Sequence, residues 1–384
     1  MPSKRIFKPR LDLRYRLTDR HLLLFYRIVM IGRSNRTVSA PNLICVESVI
    51  AAALAMFGFL GAAAVHANPY LAKPGEAPAN VFVATCATSG GFIHIYTALD
   101  QNLFAKYGMN VKHVVIRTGT NINLAALATD EIQFLYCAAD STIPGMAAGA
   151  DSILVASPLV GLPYVIIARK EIKTVQDLRG KSIGVGSVGG LPFRLLKAFQ
   201  KKFGLEDMQI RPVGGSQPER YNAILQGVID AGPFTPPMDA RGKKDGFNLV
   251  YHLNDLGLPA IYSSLHTNSK SLRERRLTVQ RFVAALAESV KFVEDNPEKA
   301  KASVAKILRV NDEAVLQSSY DAYARKHINR RLIVPADAVA DSVEVARETG
   351  TKINKKSSEL FDNGFAENLD KSGFLKELWG GRIP

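Results

Sequence analysis

One feature restricts this chain more than any other: short β-branched stretches alternate with stretches of helical spacing, and midway the alternation starts again. Residues 80–87 (NVFVATCA) have the composition of a buried strand. Residues 90–108 follow, with Phe92, Ile95, Tyr96, Leu99, Leu103 and Phe104 near a 3.6-residue period, so they predict a helix. Strands at 110–116, 132–139 and 152–159 are separated by helices at 119–130 and 141–150. The second round begins with a strand at 162–170, then a helical turn at 174–180 with Thr174 as its N-cap. A strand at 181–187, a helix at 191–204, a strand at 208–214, a helix at 217–227 and strands at 228–232 and 247–253 complete it. An extended stretch, 258–268, follows, and beyond Ser271 the pattern is helical. Consecutive parallel strands need a crossover, usually a helix, so the expected class is α/β: two mostly parallel sheets flanked by helices, then a helical C-terminal segment.

With 384 residues, 47% of them hydrophobic, the chain can bury two cores. Its net charge of +14 does not mark a nucleic-acid partner. Residues 1–36 hold ten basic and two acidic side chains, and residues 37–67 add only Glu47, so half the excess lies before residue 68. The remainder shows no dense basic stripe with interleaved aromatics, which excludes the usual nucleic-acid footprint. The basic start precedes an apolar run at 49–65 and Val65-His66-Ala67, an A-x-A-like site. This is the pattern of a secretory signal cleaved after Ala67, with Met30 an alternative start and an uncleaved anchor the competing possibility. Cys45 follows Ile44 and precedes the apolar run, which excludes a lipid-attachment site. Residues 68–80 read as a Pro/Ala linker. An exported chain without a lipid tether fits a Gram-negative periplasm, where its two remaining cysteines, Cys86 and Cys137, meet an oxidising medium.

Gly184, Gly186 and Gly189 spell G-x-G-x-x-G between a strand and a helix, the outline of a dinucleotide fingerprint. The acid that should grip the ribose belongs at the C-terminal end of the next strand. Here Glu206 and Asp207 precede that strand, and it runs instead into Val213-Gly214-Gly215-Ser216. Pro192 also removes an amide from the helix start. No cofactor is expected. What survives is geometry: small or polar residues at four strand ends (ATCATSGGF, YCAADST, IGVGSVGG and PVGGSQPER), where open α/β sheets bind ligands. Two such units facing each other would make a cleft. Neither G-x-S-x-G nor H-E-x-x-H occurs.

The arrangement resembles the type 2 periplasmic substrate-binding proteins of ABC importers, in the branch that groups nitrate-, sulfonate/taurine- and thiamine-precursor-binding proteins. The likeness runs over about residues 81–308. The most specific stretch is Asp177-Leu178-Arg179-Gly180-Lys181 before the second glycine loop, where the family has D-L-K-G-K. YTALDQNLFAKYGMNVKHV resembles the family's opening, with Gln101-Asn102 where a glycine is usual. LATDEIQFLYCAADS resembles the next step, with Thr129-Asp130 in place of a glycine–acid pair, and ILQGVIDAG resembles a later one.

The resemblance implies a two-lobed fold, with 80–162 plus 262–384 as one lobe, 163–261 as the other, and LPYVIIARK and LPAIYSSLH as the crossovers. It implies a monomer that closes by hinge motion on a small-molecule solute and docks on an ABC permease in the inner membrane. By position, the ligand-facing candidates are Ser89, Gly90 and Phe92 on the first loop, Thr118 after the second strand and Asp140 after the third. Ser187, Gly189, Gln217 and Thr235 face them from the other lobe. Structural roles compete: Ser89, Ser187 and Gln217 as helix caps, Phe92 as core, Asp140 as an N-cap, Arg194 as an exposed surface charge. In the family's sheet the first and third strands are neighbours, which brings Cys86 and Cys137 close. A disulfide between adjacent parallel strands is awkward, so two buried thiols are expected, with a disulfide the alternative. A ligand-sensing receptor module, or a pyrimidine-synthesising enzyme on the same fold, are the alternative functions.

Overall fold

The computed structural model describes residues 68–116, 119–186, 188, 191–214 and 216–382. The expected signal segment, with its cleavage position and the alternative start at Met30, lies outside the described residues, as do Thr118, Ser187 and Gly189. The strands are β1 (Ala79–Thr85), β2 (Met109–Val115), β3 (Phe134–Cys137), β4 (Ile153–Val160), β5 (Val165–Ala168), β6 (Ser182–Val185), β7 (Gln209–Pro212), β8 (Ala231–Phe234), β9 (Asn248–His252) and β10 (Ile261–Thr267). They form two five-stranded sheets, ordered β2-β1-β3-β10-β4 and β7-β6-β8-β5-β9. In the first, β1 runs parallel to β2 and β3, and β10 is antiparallel to β3 and β4. The second repeats the plan: β6 is parallel to β7 and β8, and β5 is antiparallel to β8 and β9. The strand that enters from the other sheet is the antiparallel one in each case. The fold is therefore α/β and two-lobed.

Between the early strands lie α1 (Ile93–Asp100), α2 (Thr120–Ala128), α3 (Ala139–Ala147), α4 (Leu191–Phe203), α5 (Gln217–Leu225) and α6 (Met238–Lys244). After β10 come α7 (Ser269–Glu274), α8 (Arg276–Asp295), α9 (Pro297–Leu308), α10 (Glu313–Tyr320), α11 (Ala336–Glu348), α12 (Gly364–Lys371) and α13 (Phe374–Leu378). Helix α8 supplies the core of the first lobe. Its Phe282 stacks on Phe134 of β3 at 4.1 Å and meets Phe104 at 4.5 Å. The other face of that sheet is covered by α2, α3 and α11 through Leu124, Ile143 and Val339. In the second lobe, α4 buries Leu195, Leu196 and Phe199 and turns its lysines outward.

Several expectations need correction. The single helix expected over 90–108 is broken: Asn102 takes a left-handed φ of 52°, which no helix continues, and a separate turn follows at Ala105–Tyr107. The strand expected at 228–232 begins later, at Ala231, because the Asp230 carboxylate accepts bonds from the Ser182 N–H and hydroxyl at 2.8 and 2.7 Å and holds the chain at the sheet edge. Pro233 is tolerated inside β8 because its pairing with β6 is confined to Ile183–Ala231. Helices α12 and α13 belong to the helical segment expected beyond Ser271. Residues 68–78 have no regular structure but are pinned down: Tyr70 packs edge-on against Phe374 at 5.4 Å, and its hydroxyl donates to the Asn368 carbonyl at 2.9 Å.

Cys86 and Cys137 are not two thiols but a disulfide, with Cα atoms 5.5 Å apart. Register explains it. Thr85 pairs with Tyr136, so the next residues stand side by side, and β1 has already ended, leaving Cys86 free of strand geometry.

The chain passes between the sheets twice, after Val160 and before Ile261. The two passages are tied together: the Gly161 N–H donates to the Ala260 carbonyl at 2.9 Å. Leu162 N–H donates to the Asn254 side chain at 3.0 Å, and Leu253 N–H to the Tyr164 carbonyl at 2.9 Å.

Candidate functional site

The carboxyl ends of β1 and β3 in one lobe, and of β6, β7 and β8 in the other, deliver the candidate side chains. Ser89 caps the short turn Gly90–Phe92 by accepting from the Gly91 N–H at 3.2 Å. Gly90 is required by its neighbour: a Cβ there would stand 2.7 Å from the Ser319 hydroxyl of α10. Phe92 is 3% exposed and meets Tyr136 edge-on at 5.4 Å and Tyr96 at 6.2 Å, so its ring belongs to the aromatic layer beneath the loop. On the facing lobe, Gln217 and Thr235 join each other. The Gln217 amide donates to the Thr235 hydroxyl and its oxygen accepts the Thr235 N–H, both at 2.9 Å. Ser216, not Gln217, caps α5, in a reciprocal box with Glu219. Gly184, first glycine of the motif, lies within β6, where a Cβ would come within 2.3 Å of Ile229 Cδ1. Packing demands that glycine, with no phosphate involved. Asp207 is paired with Arg179 at 3.3 Å, before β7, away from the ligand-binding edge.

Asp140 does not cap its helix. Ala138 is the N-cap, and the Asp140 side chain reaches sideways to α11, where its Oδ1 accepts from the Ser342 hydroxyl at 2.6 Å. Burial pushes its carboxyl above the usual range, while the Ser342 bond and the Arg194 charge pull the other way. Arg194, expected as an exposed surface charge, is 14% exposed. From α4 of the second lobe it crosses to the first, where Nη1 donates to Asp341 and Nη2 lies 3.6 Å from Asp140. The correction has a tertiary cause: α11 returns from the far end of the chain to place Asp341 and Ser342 beside Asp140 of α3, against α4.

Other contacts cross between the lobes. The Tyr323 hydroxyl donates to the Pro236 carbonyl at 2.9 Å, Ser318 donates to Asp239 at 2.6 Å, and Lys244 lies 3.4 Å from Asp312. Tyr323 sits on a π-helical turn, Asp321–Lys326, and its ring stacks on Tyr262 at 5.4 Å. It therefore stands between Gly90, whose Cβ would meet it at 3.2 Å, and Thr235 of the facing lobe. A cleft of about 460 Å³ opens beside it, lined by Pro163, Asp239, Lys243, His252, Ser318 and Asp321 among others.

Sequence reasoning had not selected Arg220, Tyr262 or Tyr323. Arg220, 8% exposed, lies one turn into α5 after the PVGGSQPER loop, a position comparable to that of Arg194. Burial holds its guanidinium below the ordinary value, with Tyr164 and Glu219 acting in the opposite sense. Tyr164, on the first crossover, feels Tyr262, Asp140 and Arg220 together, and burial raises its phenol. Charges of both signs, Asp140 and Arg220, thus lie close enough to Tyr164 to act on its phenol. The helical tail gave no sign that Tyr323 would return to stack on Tyr262.

A family model described as NMT1/THI5 like matches residues 89–300, more than half of the chain. A protein of Brucella abortus named only as a candidate binding protein is 28% identical over 231 residues, covering 58% of this chain and 69% of its own. Among solved structures, the periplasmic sulfonate-binding protein SsuA of Methylobacillus flagellatus superposes with a TM-score of 0.63 at 17% identity, over 79% of this chain and 97% of its own. The alkanesulfonate-binding protein SsuA of Xanthomonas axonopodis, bound to MOPS, gives 0.60 at 18% identity, over 75% and 99%.

Proposed function

The chain belongs to the NMT1/THI5-like family, and from that membership we propose that it is an extracytoplasmic solute-binding protein, which closes its cleft on a small organic solute and presents it to an ABC-type permease. One observation carries the reading: two sheets are joined by a pair of hydrogen-bonded crossovers, and residues from beyond their strand ends meet, Arg194 with Asp140 and Asp341 and Tyr323 with Pro236. That geometry allows hinge closure around a ligand, with few residues absorbing the motion.

The reading includes export through residues 1–67, cleavage after Ala67 and a monomeric periplasmic product. The Cys86–Cys137 disulfide supports an oxidising compartment. The proposed lobes are 80–162 plus 262–384 and 163–261. Thr118, Ser187 and Gly189 remain in the proposed ligand-facing set with Ser89, Gly90, Phe92, Asp140, Gln217 and Thr235. Binding without catalysis is proposed, and a Ser–His cluster among the described residues supports it. His266 contacts Ser264 at 2.9 Å and Ser152 at 3.1 Å, but all three are fully buried, where no substrate reaches them.

The test is a thermal-shift screen of the purified protein against sulfonates, carboxylates, amines, pyrimidines and flavin-like compounds in phosphate-free buffer. A solute at a hundred times its Kd adds about 2.7 kcal/mol to stability, a rise of several degrees in Tm. No shift across the whole panel would refute the receptor reading.

A further inference from the structure

Resting on that reading, the chemistry of one cleft wall defines the solute further. Asp140 spends only half of its carboxylate on the protein. Oδ1 is held by Ser342 at 2.6 Å and lies 3.6 Å from the Arg194 guanidinium. Among the described residues Oδ2 is buried and has no hydrogen-bond partner, on a side chain that is 7% exposed. A buried carboxylate oxygen without a donor is an unfavourable arrangement that native folds avoid or use. The residue stands at the carboxyl end of β3, the sheet edge where open α/β folds take their ligands, and its charge acts on the buried Tyr164 phenol of the first crossover. Beside it, Asp140, Leu191, Arg194 and Ser342 line a void of about 20 Å³, room for one water. A donor that enters as the lobes part finds this space beside the carboxylate.

Against the ionised carboxylate, the form that the Ser342 hydrogen bond and the Arg194 charge favour, a sulfonate or carboxylate brings only lone pairs to this oxygen and a like charge to Asp140 and Asp341. We propose that the solute carries an N–H donor, as an amine, amidine or aminated ring, and places it on Asp140 Oδ2. This wall thus selects a donor-bearing solute, whatever anionic group the rest of the molecule carries.

Four probes of matched shape separate the possibilities: benzylamine and benzamidine, which carry N–H donors, and benzoate and benzenesulfonate, which do not. Calorimetric titration of the purified protein should rank the first pair above the second. Asp140→Asn should weaken the donor-bearing pair by about tenfold or more, the usual worth of a hydrogen bond to a charged group. Tighter binding of the anions, or donor binding unchanged in Asp140→Asn, overturns the assignment and leaves the receptor reading standing. The wild-type ranking needs no variant, so it decides the matter even if Asp140→Asn folds poorly. If the four probes fail and another compound of the broad panel binds, its aminated and des-amino analogues carry the same comparison. If nothing in the panel binds, the receptor reading itself has failed.

Discussion

Arg194 is the residue whose loss should separate closure from folding. It belongs to the second lobe by sequence and to the first by contact, reaching Asp341 and Asp140 across the seam. Neither lobe loses core packing when it is replaced, because its partners are side chains of α3 and α11 and its own helix is held by Leu195, Leu196 and Phe199. In Arg194→Met the aliphatic stem is kept and the charge removed. An exposed ion pair is worth about 0.2–1 kcal/mol and a shielded charge-assisted bond about 1.5–3 kcal/mol. Arg194 is 14% exposed and Asp341 36%, so the contact falls between those limits, near about 1.5 kcal/mol. That is about tenfold in the ratio of closed to open molecules, and about tenfold in apparent Kd if only the closed form holds solute. Small-angle scattering of the unliganded variant should show a larger radius of gyration. Calorimetry with whichever solute shifts the wild-type Tm should show the weaker Kd, while the unfolding transition stays within a few degrees. An unchanged radius together with an unchanged Kd would refute the role given to this contact.

Reducing the disulfide, or replacing both cysteines by serine, frees a loop of 51 residues; on the chain-entropy relation this removes about 4 kcal/mol of stability, read from urea unfolding with and without reductant. No change would mean that the bond contributes nothing beyond local packing. Acid should also destabilise the protein through its buried histidines. Burial holds His94 at a pKa of about 3, and neither ring nitrogen has a partner. The unfolded chain takes up that proton near 6.5 and the folded one only near 3, so stability is full above pH 6.5 and falls as pH drops through that window. The loss from this residue is about 2 kcal/mol between pH 7 and pH 5. His94→Leu should flatten the pH dependence of the urea midpoint by that amount, and an unchanged slope would count against a neutral buried imidazole.

The fold was legible because hydrophobic spacing is local. Residues 80–87 and 191–204 announce a strand and a helix without reference to the rest of the chain, and alternation then implies crossovers. The strand-end loops were legible for the same reason, since Ser89-Gly90 and Gln217 follow directly from where strands stop. What the cleft does with those residues was not. Arg194 reads as a surface charge until α11, some 147 residues later, brings Asp341 to it. Asp140 reads as a cap until Ser342 draws it sideways. Gly184 reads as a phosphate glycine until Ile229 is seen to occupy the space of its missing Cβ. The disulfide is not legible because adjacent parallel strands disfavour it, and only the structure shows that β1 ends at Thr85, one residue before Cys86.

The two passages between the sheets have a consequence for how such a molecule can be rebuilt. The segment that forms the second sheet leaves the first lobe at Gly161 and returns at Ala260, and those residues share a hydrogen bond of 2.9 Å. A segment whose entrance and exit touch is, in topological terms, an inserted loop that happens to contain a whole sheet. It can be excised and bridged by a short turn, or exchanged for the corresponding segment of a relative, without stretching the strands that remain. Shuffling one wall of the cleft while keeping the other is open to this architecture at little structural cost, so new solute preferences can be acquired one lobe at a time.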